Sequence, residues 1–462
     1  MLRIYDTAAR EIVDFVPRTE GHIAMYACGP TVYDHPHLGH ARQAMTYDVA
    51  RRYLEWCGFD VHYVANITDI DDRIIERAAA EGRSEPEVAA DWEQVYVDVM
   101  DRLDILPPHD RPHATEYVDE MVDFISVLLD NGSAYATDSG VYLRVRTVTD
   151  YGGLIGRTHD DLAEGAGARV EVDETKEDPL DFALWKAAKP GEPSWPAPWG
   201  EGRPGWHIEC VAMSLGILGD DFDLHGGGTD LIFPHHTNER AEAIAAGRRF
   251  SRYWMHNAMV NIAGEKMSKS LNNFTTVADL LEEHPLNARA LRLLLLQTHY
   301  RKTLEINPDV MAHARAGVER IDAMARKAAA LGVDTCETSP DPELVSRFRA
   351  EMDDDFGTPE AVAVIFEAVR SANGALDQGG DPAPLVATVL ELTGALGLRI
   401  DTGDANPAAG DVDAAEVDAL VAARSQAKEV KDFAEADRIR DVLAAAGIVV
   451  EDTAAGPVWR RA

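Results

Sequence analysis

The sequence predicts an α/β protein in which a parallel sheet with an insertion is followed by an all-α helical bundle and a small C-terminal domain. The order strand, loop, helix, strand over residues 22–66 is a βαβ unit, and such a unit requires a parallel sheet. Residues 136–205 lose this pattern and are rich in Gly, Pro, Trp and charged side chains. Beyond Arg301 the chain becomes rich in alanine at helical spacing.

The elements of the first half follow from their periodicity. Residues 22–28 form an apolar strand that runs into Gly29, and residues 60–66 alternate as a second strand. Between them, apolar residues recur at helical spacing over 41–57, and Gly58 is a helix-ending signal. The same criteria predict three further helices and one further strand, with the helices at 70–82, 85–103 and 121–130 and the strand at 141–145.

The second half is predicted to consist almost entirely of helices. Four of them are long enough to pack as a bundle, and they cover 310–331, 341–352, 358–374 and 383–396. Residues 401–414 are rich in Ala, Asp, Gly and Pro, which predicts a linker. A terminal module follows, with two helices and a short hairpin at 415–430, 434–446, 448–451 and 458–460.

The bulk composition narrows the class of protein. The chain has 462 residues, of which 46% are hydrophobic, and it has 4 cysteines. So few cysteines in a chain of this length argue against a disulfide framework. No apolar run approaches the roughly 20 residues of a membrane span, and the first residues lack the apolar centre of a signal peptide. We therefore expect a cytoplasmic protein without a membrane partner.

The string His37-Leu38-Gly39-His40 indicates a phosphate site. If it opens a helix, both imidazoles lie on one face beside the positive end of the helix dipole, which attracts anions. Gly39 would let a nucleotide approach the backbone closely. Imidazole N–H groups there would stabilise negative charge on an α-phosphate as pyrophosphate leaves. The alternative is that the two histidines only cap the helix or lie on its surface.

A second string, Lys-Met-Ser-Lys-Ser at residues 266–270, is predicted to be a surface loop because of its polar, glycine- and asparagine-rich flanks. The ammonium groups of Lys266 and Lys269 are three residues apart. They would meet the β- and γ-phosphates of a nucleotide as charge builds there. The alternative is a solvated basic loop, which the scarcity of lysine elsewhere in the chain makes less attractive.

Four residues scattered along the chain form an acceptable ligand set for zinc. They are Cys28, Cys210, His235 and Glu239. His235 lies four residues before Glu239, so on a helix the two side chains share a face. From the residues alone, His236 could replace His235, and each cysteine could instead be a small buried hydrophobe. We assign that structural role to Cys57 and Cys336.

Together these strings resemble the cysteinyl-tRNA synthetase family of class I aminoacyl-tRNA synthetases. The resemblance runs end to end and is carried by residues 28–72, 205–210, 225–239, 265–274 and 436–452. Leu38, where isoleucine is common, and Asn272, where glycine is common, are minor departures. The resemblance implies a class I Rossmann-like catalytic domain with an insertion, a linking region, a helical anticodon-binding bundle and a small C-terminal domain.

The resemblance and the changes in composition together imply six segments. They are the first half of the catalytic domain (1–135), a connective-peptide insertion (136–205), the second half of the catalytic domain (206–255), a stem-contact linking region with the KMSKS loop (256–310), the anticodon-binding bundle (311–402), and the linker with the C-terminal domain (403–462).

The resemblance also implies roles for individual residues. The catalytic residues would be His37, His40, Lys266 and Lys269. ATP would be bound by these four and by Gly39, Ser268 and an adenosine platform, His225-Gly226-Gly227-Gly228. The amino acid would meet Trp206 as an aromatic wall, Asp230 as the partner of its ammonium group, and Thr68 as a polar contact. The metal ligands would be Cys28, Cys210, His235 and Glu239, with one Zn²⁺ per chain, and Mg²⁺ would accompany ATP.

The implied function is ATP-dependent activation of L-cysteine to cysteinyl-adenylate and transfer to tRNA(Cys), with zinc selecting the substrate thiolate. The partners would be ATP, L-cysteine and tRNA(Cys), and we expect a monomer. One alternative is a ligase that passes activated cysteine to an amino sugar, which the helices beyond residue 310 argue against. Another is a non-enzymatic, zinc-stabilised RNA-binding protein, which the paired histidines and lysines argue against.

The charge is unusual for a protein that binds tRNA. Asp and Glu number 80 against 44 Lys and Arg, which gives a formal net charge of −36. At about 1 M salt the Debye length is about 3 Å, so the overall repulsion from RNA is screened. We therefore predict a halophilic origin. The alternative is an acidic protein at ordinary salt with a local basic groove.

Overall fold

The computed structural model describes most of the chain. It leaves out residues 167–174, 263–264, 267–275, 403–413, 430–432, 446–447, 454–455 and 462. The strands, in chain order, are β1 (Arg3–Asp6), β2 (Glu11–Asp14), β3 (His22–Ala27), β4 (Asp60–Ala65), β5 (Ala134–Thr137), β6 (Gly140–Leu143), β7 (Phe182–Ala187), β8 (Gly202–Pro204), β9 (Phe222–Gly228), β10 (Ser251–Asn257), β11 (Val260–Ile262), β12 (Glu265–Lys266), β13 (Leu304–Ile306), β14 (Ile448–Thr453) and β15 (Gly456–Arg461).

The helices are α1 (Leu38–Trp56), α2 (Asp72–Glu81), α3 (Glu85–Arg102), α4 (Val118–Asp130), α5 (His159–Ala166), α6 (Trp206–Leu218), α7 (Thr237–Ala245), α8 (Val277–Glu283), α9 (Asn287–Leu296), α10 (Pro308–Ala330), α11 (Pro342–Asp353), α12 (Thr358–Gln378), α13 (Ala383–Ala395), α14 (Ala414–Glu429) and α15 (Phe433–Ala445). The periodic segments of the sequence therefore have the predicted types. The strand β13 interrupts the stretch beyond Arg301 that was expected to be helical.

A four-stranded parallel sheet in the order β10-β9-β3-β4 forms the centre of the first half. Its middle strands are short and mostly buried, as expected for a sheet covered on both faces. Strand β3 leads through α1 to β4 on one side, whereas β9 adjoins β3 on the other. Helix α1 therefore begins where the strand order reverses, and ligands of open α/β sheets bind at that point.

The segment whose composition changes at 136–205 forms a separate sheet. Strands β5, β6, β7 and β8 pair antiparallel in sequence order. After this sheet the chain reaches Gly205, the N-cap of α6, which begins at Trp206. The predicted α/β fold with an insertion, a helical bundle and a small terminal module is confirmed.

A single apolar core continues from the central sheet into the bundle of α10 to α13. Tyr53 and Leu54 of α1 belong to the same buried cluster as Val318, Phe348 and Leu392 of the bundle. The terminal module has a cluster of its own, formed by Val417, Val421, Ile439, Leu443 and Ile448. In the described part of the chain, no helix has the length and apolar character to span a membrane.

Candidate active site

A cleft of about 290 Å³ lies at the carboxyl ends of the parallel strands. Its lining includes residues from the start of α1, from the end of β9 and from the start of α6. Seven of the residues singled out from the sequence line it: Cys28, His37, Gly39, His40, Trp206, Gly228 and Asp230. The cleft therefore brings together the first histidine string and part of the expected amino-acid site.

His37 is the N-cap of α1 and holds its first turn through one ring nitrogen. Its Nδ1 accepts from the backbone N–H groups of Gly39 at 3.1 Å and His40 at 3.4 Å. In return, the backbone N–H of His37 donates to Nδ1 of His40 at 3.2 Å. The two rings stack with centroids 3.8 Å apart. Because both Nδ1 atoms accept, each neutral ring carries its proton on Nε2.

The ring of His40 is held neutral by its surroundings. Burial, reinforced by the neighbouring His37, lowers the pKa of His40 to about 3. Gly39 is required by the cap itself, because a Cβ there would lie 2.8 Å from the ring of His37. The capping alternative and the phosphate role are therefore compatible, since capping occupies Nδ1 and leaves the N–H on Nε2.

Cys28, Cys210, His235 and Glu239 come together in the interior as a four-donor group, and one ligand atom from each lies within 4.8 Å of all the others. The two sulfurs are 3.6 Å apart, and Sγ of Cys28 is 3.5 Å from Oε1 of Glu239. Nε2 of His235 is 3.6 Å from Sγ of Cys210 and 3.0 Å from Oε1 of Glu239. Ligand atoms around a tetrahedral metal ion of zinc size lie about 3.2–3.8 Å apart. Three of these four distances fall in that range, and the distance of 3.0 Å between His235 and Glu239 is slightly shorter.

The chemistry of the four-donor group also fits a cation. Burial raises the pKa of both thiols and of Glu239, and burial lowers that of His235 well below its ordinary value. Thiolate and carboxylate ligands are thus disfavoured at this place unless a positive charge lies among them. A divalent metal supplies such a charge, so the group is compatible with a metal site.

A second donor set shares two members with the first. It consists of Cys28, His225, His236 and Glu239. Nε2 of His236 is 3.9 Å from Oε1 of Glu239, farther than Nε2 of His235 at 3.0 Å. Nδ1 of His236 instead lies 2.7 Å from Nε2 of His256, away from the cleft. Cys28, which lines the cleft, belongs to both sets, but the His235 ring also stacks on the cleft residue Trp206 at 4.1 Å.

The side chain of His225, the first residue of the expected adenosine platform, lies in the interior. Its side chain is fully buried, with Nε2 3.0 Å from Oε2 of Glu239 and 3.8 Å from Sγ of Cys28. A Cβ on Gly226 would lie 2.1 Å from the Tyr47 hydroxyl, and one on Gly227 would lie 2.7 Å from Leu231. Protein atoms therefore fill the space beside these glycines, and of the four residues only Gly228 lines the cleft.

The three residues expected to contact the amino acid differ in where they lie. Trp206 and Asp230 are exposed and line the cleft, as their predicted roles require. Thr68 does not line the cleft. Its side chain is buried and its hydroxyl donates to Oε2 of Glu209 at 2.9 Å.

Of the second string, the structure describes only the backbone of its first residue, Lys266. Strand β12 ends at Lys266, whose backbone pairs with Asn261 of β11. The first residue of β11, Val260, lines the cleft. Ser268, Lys269 and Asn272 lie outside the described residues.

Comparison with known proteins identifies the family. A family model for the "tRNA synthetases class I (C) catalytic domain" matches residues 14–316, a "DALR domain" model matches 347–400, and a "Cysteinyl-tRNA ligase anticodon binding domain" model matches 414–460. The chain is 49% identical to the cysteine–tRNA ligase of Alkalilimnicola ehrlichii over 475 aligned residues that span both proteins completely. It is 47% identical to that of Halorhodospira halophila over 468 residues, again across the whole of both chains.

The chain belongs to the cysteinyl-tRNA synthetase family. Cysteinyl-tRNA synthetases activate cysteine with ATP and charge tRNA with it, and full-length identity near one half carries that activity to this chain. The catalytic fold agrees. A Mycobacterium tuberculosis methionyl-tRNA synthetase in complex with methionyl-adenylate is 15% identical with a TM-score of 0.58, and covers 81% of this chain and 89% of its own. An Agrobacterium radiobacter K84 LeuRS in a ternary complex is 12% identical with a TM-score of 0.61, and the match covers 83% and 84%.

Three polar residues at the synthetase site were missed from the sequence. Gln43 of α1 donates to the Cys28 carbonyl at 2.5 Å and accepts from the Gly228 N–H at 3.1 Å, which ties the ends of β3 and β9 together. Asn66 accepts from the Gly29 N–H at 2.8 Å. Nδ1 of His207 lies 2.9 Å from Nδ1 of His235 and orients that ring. Gln43 follows His40 by three residues, and that helical spacing is the signal that could have revealed it.

Proposed function

We propose that the four-donor group of this cysteinyl-tRNA synthetase holds one zinc ion and that the ion selects cysteine for activation. The observation that carries the proposal is the placement of the group, which adjoins the cleft at Trp206 beside the start of α1. Two thiolates, an imidazole and a carboxylate suit zinc better than a hard cation such as Mg²⁺. His207 supplies the hydrogen-bonding partner that a metal-bound imidazole usually has on its other nitrogen.

Selection would then depend on chemistry rather than on size. When bound, zinc lowers the pKa of a substrate thiol, so that cysteine binds as the thiolate whereas the harder and more basic hydroxyl of serine is disfavoured. Trp206 forms the wall beside the substrate side chain, and the exposed Asp230 carboxylate accepts from the substrate ammonium group. A purely apolar pocket would discriminate by only about 1–3 kcal/mol per methylene, so this chain's choice of ligands carries the specificity.

For the ATP step, we propose that the imidazoles of His37 and His40 donate from Nε2 to the α-phosphate while the cysteine carboxylate attacks it. The stacked rings at the N-terminus of α1 support this role, because the donors are oriented before the reaction. Gly39 and Gly228 allow close approach of the nucleotide. Lys266, Ser268 and Lys269 are proposed to meet the β- and γ-phosphates, with Mg²⁺ accompanying ATP.

Metal analysis of a variant tests the zinc proposal. Wild-type protein should contain about one zinc per chain, and Cys210→Ser should lose most of it together with cysteine-dependent ATP–pyrophosphate exchange. Cys336→Ser is the matched control, because Cys336 is an exposed thiol remote from the donor group in sequence. Full zinc and undiminished exchange in Cys210→Ser would show that the ligand set is misassigned.

We also propose that tRNA(Cys) is bound by the bundle and the terminal module, residues 311–402 and 403–462. A groove of about 480 Å³ between α10 and α12 supports this, since His313, Arg320 and Arg370 line it and no acidic side chain does. Arg320 lies 5.5 Å from the centre of the Phe366 ring. In the part of the chain that the structure describes, neither arginine is ion-paired, whereas the nearby Arg347 pairs with a glutamate.

Substitution of these arginines tests the groove. Arg320→Gln and Arg370→Gln should each raise the KM for tRNA about tenfold, because each removes a phosphate contact, while tRNA-free ATP–pyrophosphate exchange stays unchanged. Arg347→Gln is the matched control, since its guanidinium is already neutralised at 2.8 Å by Glu367. If all three variants charge tRNA like the wild type, the groove does not bind tRNA.

The remaining sequence-based expectations are part of the same proposal. We propose a monomeric, cytoplasmic enzyme of halophilic origin whose catalytic domain (1–135 and 206–255) carries the insertion 136–205 and the linking region 256–310. The separate apolar cluster of the terminal module supports treating it as its own unit. Transfer of cysteine to an amino sugar finds no support, because the chain matches tRNA ligases over its full length.

A further inference from the structure

Residues 299–302 form a turn between α9 and β13 that is held from the side of α1. One terminal nitrogen of Arg42, Nη2, donates to three backbone carbonyls of the turn. The distances are 3.0 Å to His299, 3.1 Å to Tyr300 and 3.1 Å to Lys302. Arg42 is 1% exposed and follows His40 by two residues, so the contact is both buried and close to the first histidine string.

The same turn is connected to the strand that leads into the second string. The Tyr300 carbonyl also accepts from the Ala258 N–H at 2.8 Å, and Leu304 donates to the Met259 carbonyl at 3.0 Å. Beyond these contacts β13 pairs parallel with β11, and β11 pairs with β12, which ends at Lys266. A displacement of the turn would therefore displace β11 and Lys266 relative to α1.

A carboxylate from the bundle holds the opposite side of the turn. Asp355, between α11 and α12, accepts from the Tyr300 hydroxyl at 2.6 Å and from Nε of Arg301 at 2.7 Å. Its backbone carbonyl lies 3.0 Å from Nε2 of His299. Asp355 is 2% exposed and adopts a left-handed conformation with φ of 58°, which non-glycine residues seldom do without strong local constraint.

We propose that Arg42 and Asp355 hold this turn from opposite sides by hydrogen bonds. They thereby fix the distance between the two phosphate-binding strings, which contain His40 and Lys266. Arg42 is then a positioning residue for adenylate formation, and Asp355 is the link through which the bundle acts on the same geometry. The inference rests on the roles proposed above for His40 and Lys266. Neither Arg42 nor Asp355 is assigned a contact with substrate.

The guanidinium of Arg42 suits this task for a physical reason. Its planar group fixes the directions of the two N–H bonds of Nη2, which are shared among the three carbonyls, whereas a lysine ammonium on a flexible stem presents its donors in no fixed direction. Burial lowers the pKa of Arg42 only to about 10, so the group stays charged near neutral pH. The hydrogen bonds from Arg42 to the turn are therefore charge-assisted, and their acceptors are neutral backbone carbonyls.

Arg42→Lys tests the positioning role through a split between kcat and KM. Cysteine-dependent ATP–pyrophosphate exchange should lose about 30- to 100-fold in kcat, because an error of about 1 Å between reacting groups costs that much. The KM values for cysteine and ATP should stay within about twofold, since ground-state contacts are retained. Rates are normalised to active sites titrated by the burst of adenylate, so misfolded protein does not contribute.

Arg292→Lys is the matched control. Arg292 is also buried and also donates to carbonyls, those of Leu103, Asp104 and Leu396, but not to the turn. It should lower thermal stability as Arg42→Lys does while leaving kcat per active site near that of the wild type. Equal losses of kcat in both variants, or a loss below twofold in Arg42→Lys, would overturn the proposal. If Lys266→Ala removed activity but Arg42→Lys did not, the proposed role of Lys266 would stand and only the positioning role of Arg42 would be wrong.

Asp355→Asn completes the experiment with a double-mutant cycle. The amide keeps one acceptor oxygen, so the single variant should lose about five- to tenfold in kcat. Because both residues hold the same turn, the double variant should lose clearly less than the product of the two single losses. Losses that simply multiply would show that the two grips are independent. Tyr300→Phe, which removes only the bond to Asp355, replaces Asp355→Asn if that variant does not fold.

Discussion

The two ring nitrogens of His37 are available for separate tasks. Nδ1 closes the first turn of α1 through the N–H groups of Gly39 and His40, and the proton is thereby fixed on Nε2. The sequence offered capping and phosphate binding as alternatives, and the geometry allows both at once. An N-cap is therefore no evidence against a catalytic role at this position.

His37→Asn should separate these tasks, because asparagine is among the best N-cap residues but has no imidazole. The melting temperature should stay near that of the wild type, while ATP–pyrophosphate exchange falls by about 10²-fold or more through loss of one donor. His37→Ala serves as the comparison and should lose about 1 kcal/mol of stability in addition. Unimpaired exchange in His37→Asn would mean that the residue is a cap only.

His40 makes stability depend on pH. Its pKa is lowered to about 3 by burial and by His37, whereas in the unfolded chain it is the ordinary value of about 6.5. Between these values the unfolded chain binds a proton that the folded chain does not. The contribution of His40 to the free energy of unfolding is therefore complete above about pH 6.5 and is lost as pH falls toward 3. Urea unfolding at several pH values should show a steeper loss for the wild type than for His40→Asn. Identical pH dependence in the two proteins would contradict this account.

At the scale of elements, α1 connects most of the site. Its first turn presents the two imidazoles, and Gln43 joins the ends of β3 and β9. One turn later the Tyr47 hydroxyl donates to the Met255 carbonyl at 2.6 Å and packs against Gly226. Gly226 at the end of β9 is thus required by this helix before any nucleotide is considered.

Gly226→Ala should therefore be strongly destabilising. The added Cβ would lie 2.1 Å from the Tyr47 hydroxyl and 2.4 Å from the Met255 carbonyl oxygen, and a backbone atom cannot simply rotate away. Overpacking of this kind costs about 1–3 kcal/mol or more in unfolding free energy. Gly374→Ala in α12 is the control, since nothing lies within 4 Å of its Cβ position and alanine favours helix. Equal stability of the two variants by thermal unfolding would disprove the packing argument.

The main elements could be predicted because their periodicities extend over many residues. The strand at 22–28 is observed as His22–Ala27, and the helix at 358–374 as Thr358–Gln378. Strands β1, β2 and β13 have only three or four residues, which is too short for a periodic signal. The sheet register, which pairs Tyr26 with His225, decides that the His225 ring faces the interior, and no local pattern contains it.

The four-donor group illustrates the same limit at long range. Chemistry and helical spacing suggested the ligand types, but from residues alone His235 and His236 remained alternatives. The distances to Glu239 and the contact with Trp206 distinguish them. The grip of Arg42 and Asp355 on one turn joins residues more than three hundred positions apart, so it could be found only in the folded chain.

At the scale of the whole molecule, the net negative charge affects both folding and tRNA binding. The formal net charge of −36 opposes both compaction of the chain and the approach of tRNA at low ionic strength. The groove lined by Arg320 and Arg370 would attract tRNA phosphates over a short distance. Salt would screen this attraction as well. The groove lined by Arg320 and Arg370 is a candidate for the local basic groove of the second alternative, and it does not exclude screening by salt.

We predict that tRNA charging rises with KCl from about 0.1 M toward about 1 M before it declines, because screening of the overall repulsion comes first. Counterion release from the groove then weakens binding at still higher salt. Measuring tRNA affinity and thermal stability over the same range separates the two causes. Full stability and the tightest tRNA binding at the lowest salt would refute both the screening argument and the halophilic origin.

The central claim is that a metal in the four-donor group selects the thiol of cysteine at the adenylation cleft. The most direct test is ATP–pyrophosphate exchange by the full-length protein with cysteine and with serine, before chelation, after chelation with the chelator removed, and after addition of zinc, always with excess Mg²⁺. The account predicts exchange with cysteine but not serine, its loss on chelation and its return with zinc. Exchange with cysteine that survives complete removal of the metal, or equal exchange with serine, would contradict it.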